Sequence, residues 1–97
     1  MKEYYECHVT IESVNQYMTE LKVVATGWTF SAIDGDPVLG KGVKCYATKH
    51  FNSSKNKLED VIAMVDFAAE VINDNVSKVT RRKVELVVYD TRAPIIS

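Results

Sequence analysis

The chain has 97 residues, of which 46% are hydrophobic and 26% charged, with a formal net charge of −1. That length holds one domain, whose folding buries roughly 60–65% of the unfolded surface, so a two-layer core needs no metal or disulfide. The composition excludes disorder, the charge balance excludes a strongly electrostatic nucleic-acid binder, and no apolar run approaches the ~20 residues of a membrane span.

The N-terminus, Met1-Lys2-Glu3-Tyr4-Tyr5-Glu6, lacks the apolar core of a signal peptide. With two cysteines and no export signal, the expected address is the cytoplasm with both thiols reduced. Residues 4–12 alternate strictly, with Tyr5, Cys7, Val9 and Ile11 on one side and Glu6, His8, Thr10 and Glu12 on the other. That period of two predicts a half-buried strand.

Ser13 with Gln16 three residues later has the spacing of a capping box. Val14, Tyr17, Met18, Leu21, Val24 and Ala25 then recur at helical spacing, predicting a helix with this stripe inward and Gly27 as its stop. A second strand is predicted from Trp28 to Ile33. Asp34-Gly35-Asp36-Pro37 breaks it, and Gly40 and Gly42 extend the turn region. Asp34-Gly35-Asp36 opens like a calcium loop but lacks the later ligands, and Gly40-Lys41-Gly42-Val43-Lys44 does not match a P-loop, so both are read as turn.

Val43 to Phe51 is predicted as the third strand, with Val43, Cys45 and Ala47 facing one way and Lys44, Tyr46, Thr48 and His50 the other. Asn52-Ser53-Ser54 offers caps for a second helix. Its buried stripe is Leu58, Val61, Ile62, Val65, Ala69 and Ile72, and it should fade near Asn73 to Asn75. The last strand is predicted over 82–89, with Val84, Leu86 and Val88 inward and Lys83, Glu85, Val87 and Tyr89 outward.

The order β-α-β-β-α-β names an α+β, ferredoxin-like two-layer sandwich over residues 1–91, with 92–97 as a C-terminal tail. Right-handed crossovers give an antiparallel sheet of order 4-1-3-2 with both helices on one face. The uncovered face then carries Glu6, His8, Thr10, Glu12, Tyr46, Thr48, His50, Lys83, Glu85 and Tyr89.

On that face, His8-Val9-Thr10 and Thr48-Lys49-His50 lie on adjacent antiparallel strands. A register with His8 opposite His50 also sets Thr10 opposite Thr48. Cβ atoms about 4.5–5.5 Å apart would let the imidazoles grip one small anion between them. One imidazole can accept a proton while its partner donates one near neutral pH, and the threonine hydroxyls can hold phosphate oxygens. The candidate catalytic pair is His8 and His50, and the candidate ligand-binding residues are Thr10, Tyr46, Thr48, Lys83 and Tyr89. The same register sets Cys45 opposite Ser13, six residues from Cys7. That is roughly 20 Å at ~3.3 Å per residue, so two free thiols are expected. Histidines and cysteines fall on opposite faces, so neither a metal nor a cofactor is expected.

His8-Val9-Thr10 is similar to one His-x-Thr unit of the 2H phosphoesterases, with the second unit, Thr48-Lys49-His50, running in reverse. That resemblance implies metal-independent cleavage of phosphodiesters by His8 and His50. Cys7-His8-Val9-Thr10-Ile11-Glu12, Thr48-Lys49-His50 and Lys83-Val84-Glu85 together resemble a family of small uncharacterised proteins of bacteria and phages. This implies a shared fold, and an accessory role against host machinery in the host cytoplasm if the chain is phage-encoded.

Tyr46 and Tyr89 with Lys44 and Lys83 could stack bases as an RNA-recognition sheet does, but the interleaved Glu6 and Glu12 repel phosphate, so nucleic acid is not the expected partner. A mixed face of Glu, Lys, Tyr and Val also suits self-association, and a homodimer is expected. The reading leans to a non-enzymatic binding module, using its open sheet face for a phosphate-bearing small molecule or a host protein. The alternative is a 2H-like phosphodiesterase.

Overall fold

A computed structural model of the chain describes residues 2–33 and 43–89. The turn at Asp34-Gly35-Asp36-Pro37, the segment Gly40 to Gly42 and the 92–97 tail lie outside the described residues. In chain order the elements are β1 (Lys2–Ser13), α1 (Gln16–Ala25), β2 (Thr29–Ile33), β3 (Val43–Asn52), α2 (Leu58–Ile72) and β4 (Ser77–Tyr89). The four strands form one antiparallel sheet of order β2-β3-β1-β4, which counted from the β4 edge runs 4-1-3-2. None of the described helices is long and apolar enough to cross a membrane.

The core lies between the sheet and the two helices. Cys7, Val9 and Ile11 of β1 and Cys45 and Ala47 of β3 meet Val23 of α1, Trp28, and Val61, Val65, Ala68, Ala69 and Ile72 of α2. Both helices therefore pack on one sheet face. Every buried side-chain nitrogen or oxygen among the described residues has a hydrogen-bond partner, as close-packed interiors require.

The start of α1 differs from the sequence expectation. Ser13 is the last residue of β1, paired with Ser77 of β4, so it does not begin the helix. Asn15 is the N-cap, and its side chain accepts from the Met18 N–H at 3.2 Å. Ser13 Oγ instead accepts from the Asn15 N–H and lies 2.5 Å from Thr19 Oγ1, which is 2.6 Å from Ser77 Oγ. This buried hydroxyl cluster turns Thr19 inward and rotates the predicted stripe away from the core. Val14, Tyr17, Met18, Leu21 and Val24 are exposed, and only Thr19 and Val23 of α1 are buried. Trp28, 6% exposed, supplies the large core side chain that the helix withholds. Gly27 turns the chain there with φ of 81°, a conformation that favours glycine.

In α2, Val61, Val65, Ala69 and Ile72 are buried together with Ala68, whereas Leu58 and Ile62 lie outward. The expected caps sit too early. The Asn52 side chain accepts from the Ser54 N–H at 2.8 Å in a turn before the helix, and the N-cap is Lys57, without a side-chain bond. Glu59 and Asp60 in the first turn complement the helix dipole instead.

β4 begins at Ser77, earlier than its apolar alternation shows: the basic Arg81, Arg82 and Lys83 pair with Thr10, Val9 and His8, and a register shift between Thr10 and Ile11 carries the pairing on through Val79, Lys78 and Ser77. Leu86 and Val88 point to the helix side but stay about half exposed. They lie toward the end of the sheet opposite Tyr5 and Glu3, past the part that the helices cover.

Candidate functional site

The register decides which open-face side chains meet. β1 pairs with β3 so that His8 lies opposite Thr48 and Glu6 opposite His50. The predicted register, His8 opposite His50 and Thr10 opposite Thr48, is thus shifted by two residues. Alternation fixes which face a residue takes, but a slip of two preserves every face, so the pattern alone cannot choose between the two registers. Cys45 accordingly lies opposite Ile11, four residues along β1 from Cys7, or about 13 Å at ~3.3 Å per residue. Both thiols are free and buried. Burial pushes Cys7 up to about 11 and raises Cys45 as well.

Rows of side chains run across the sheet. Thr29, Thr48, His8 and Lys83 form one row, from β2 through β3 and β1 to β4. His50, Glu6 and Glu85 form the next. Ser31, Tyr46, Thr10 and Arg81 form the row on the other side. Of the predicted binding residues, Thr48 meets His8 directly. Thr10 and Tyr46 sit one row away. Lys83 lies opposite His8, but its ammonium pairs with Glu85 at 3.1 Å. Tyr89 pairs with Lys2 at the far end of β1 and is remote from this centre.

Glu6 joins the two histidines. Its Oε1 is 2.5 Å from His8 Nε2 and its Oε2 is 3.8 Å from His50 Nε2. The hydrogen bond from His8 is the main cause that holds the Glu6 carboxyl below its ordinary range. Burial opposes it, and the charges of His8, His50 and Lys83 assist. The carboxylate thus takes the space between the imidazoles that the predicted anion would need. His50 is braced on its other side by Tyr4, with ring centroids 4.9 Å apart.

His8 Nδ1 lies 3.2 Å from Thr48 Oγ1. A carboxylate can only accept, so Nε2 carries the hydrogen that faces Glu6. In the neutral imidazole Nδ1 is then an acceptor, and the Thr48 O–H is committed to it. Protonation reverses that bond: Nδ1–H donates to Thr48 Oγ1, and the hydroxyl hydrogen becomes free to point at an outside acceptor.

Beside Thr48, β3 runs on past the beginning of β2 and leaves a notch of about 360 Å³ lined by Gly27, Thr29, Thr48, Lys49 and His50. Among the described residues, two hydroxyls, an ammonium and an imidazole line it without a carboxylate. Lys49 and Thr29 were not singled out by strand alternation, and neither was Glu6 as a bridge. The signal for Lys49 was present: it continues the core-facing set Val43, Cys45 and Ala47, where a charge is out of pattern. Among the described residues no three His, Cys, Asp or Glu side chains converge to hold a metal ion. No known family model matches the chain, and no curated protein sequence matches it.

Proposed function

We propose that this chain is a small binding module that takes the anionic group of a phosphate-bearing ligand in the notch at the start of β2. The carrying observation is the convergence there of Thr29, Thr48, Lys49 and His50, donors without an acid among them. The β-α-β-β-α-β order, the sheet order and the shared helix face support a ferredoxin-like scaffold for it. His8 and Glu6 stand behind Thr48 as positioning residues. Glu6 between the imidazoles favours binding over the 2H-like cleavage by His8 and His50 that the His-x-Thr unit implies.

The test follows from the hydroxyl. Thr48 donates outward when the His8 Nδ1–H donates to its oxygen. Glu6 and Lys83 are the charged groups flanking His8 from β1 and β4, and Glu85 lies opposite Glu6. Sulfate, a dianion, is the probe. Two-dimensional NMR should show Thr48 and His50 moving on titration at pH 6. Thr48→Val and His8→Gln should each lower affinity by roughly tenfold or more, the worth of one charge-assisted hydrogen bond. Sulfate that leaves both residues unmoved at pH 6 would refute the reading.

Self-association is favoured by a separate observation. Tyr17, Leu21 and Val24 are exposed at spacings of four and three residues along α1, with Val14 exposed just before it, the pattern of a helix–helix seam. This places the contact on the helical layer, away from the notch.

A further inference from the structure

Lys49 is the unusual residue of the helix-side face. It follows Cys45 and Ala47 in the alternation of β3 and is partly buried, with its ammonium 5.4 Å from the centre of the Phe51 ring. That is within cation–π range. Among the described residues no carboxylate pairs with it. A lysine in this apolar row is out of pattern for packing alone; its stem lies along the Phe51 ring while its ammonium reaches the surface.

Lys49 also forms a shared wall between two depressions. On one side is the notch already described. On the other, between α2 and the sheet, is a groove of about 280 Å³ whose walls include Trp28, Phe51, Met64 and Phe67. Trp28 and Phe51 meet edge to face, with centroids 6.4 Å apart and planes at 68°. Phe67 is 67% exposed at the groove, although it is the bulkiest side chain of α2. A slot with aromatic walls and one cation suits a flat ring attached to an anion.

We infer that the ligand of the notch is a phosphate ester of a planar aromatic group. Its phosphate meets Thr29, Thr48 and His50, its ring lies in the groove against Trp28, Phe51 and Phe67, and Lys49 stands between and contacts both parts. A mononucleotide has this form. The inference rests on the anion-binding reading and adds the second half of the ligand.

Trp28 is the only tryptophan in the sequence, so its fluorescence reports the groove directly. The full chain is titrated separately with AMP, adenosine and inorganic phosphate, following Trp28 emission and the Thr48 and His50 NMR signals. AMP should shift Trp28 emission and bind on the order of tenfold tighter than phosphate, the increment that one stacked ring provides. Phe67→Ala, at an exposed position, should remove that advantage and leave phosphate binding unchanged. Lys49→Gln should weaken both AMP and phosphate. If phosphate moves Thr48 and His50 while AMP binds no tighter and leaves Trp28 silent, the aromatic half is overturned and the anion site stands. If neither ligand moves any of the three residues, both readings fall. AMP binding that is unaltered by Phe67→Ala also overturns the groove assignment.

Discussion

The two helices share one sheet face but use it in opposite ways. α2 buries Val61, Val65, Ala68, Ala69 and Ile72 along one stripe, whereas α1 turns Tyr17, Met18, Leu21 and Val24 outward and buries Thr19 and Val23. Both sequences show apolar residues at helical spacing. The difference teaches that periodicity identifies a helix, while the anchoring groups at its ends and beneath it decide which stripe is buried. For α1 those anchors are polar. Ser13 and Ser77 hold Thr19, and Lys22 Nζ donates to Ile72 O at 2.7 Å and to Asp74 Oδ2 at 2.5 Å.

The strongest way to break the contrast is to truncate one residue from each stripe. Ile72→Ala removes a fully buried side chain and should cost about 2–5 kcal/mol in denaturant unfolding. Leu21→Ala, on a stripe that faces outward, should change monomer stability by less than about 0.5 kcal/mol. Comparable losses at the two positions would show that the α1 stripe is packed after all. Leu21→Glu sharpens the point: if α1 mediates self-association, light scattering should show the wild-type oligomer and a folded monomer for the variant.

Next in size is the hydroxyl cluster. Thr19→Val keeps the shape but leaves the buried Ser13 and Ser77 hydroxyls short of a partner. The expected cost is about 1–3 kcal/mol, the penalty for orphaning buried polar groups. A variant as stable as wild type would mean that hydrophobic contact, and not the cluster, sets the rotation of α1.

The same distinction explains what the sequence made legible. Four strands, two helices and the inward sets of β1 and β3 follow from periods of 2 and 3.6, which are local. The open face was legible for the same reason, and with it His8, Thr48, His50 and Glu6. The register was not, since slipping β3 by two residues keeps Tyr46, Thr48 and His50 outward and alters only their partners on β1. The actual pairing converts Glu6 from a nearby repulsive charge into the link between two imidazoles. The early start of β4 was hidden because Lys78 to Lys83 is a polar, basic run without apolar alternation, and its first residues pair with β1 only past a bulge. Lys49 was visible as an anomaly in alternation, but its place between two depressions depends on where β2 begins.

The smallest expected effect tests the tie between the helices. Asp74 follows the C-terminus of α2 and accepts from Lys22 of α1 and from the Val76 and Ser77 N–H groups. These bonds, the Lys22 bond foremost, lower its carboxyl from the ordinary 3.8 to about 2. A depressed folded value means that the contribution is present above the unfolded value and disappears as pH falls through the folded one. Thermal melts of the wild type should therefore lose stability between about pH 4 and pH 2, and Asp74→Asn should flatten that part of the acid limb. The effect near pH 7 should be small, because the pair is exposed and water and salt screen it. Glu6, also lowered, still contributes an acid-side slope of its own in the variant. An acid limb unchanged by Asp74→Asn would mean that Lys22 holds α1 to α2 through the Ile72 carbonyl alone, as a cation at a helix C-terminus can do at any pH in this range.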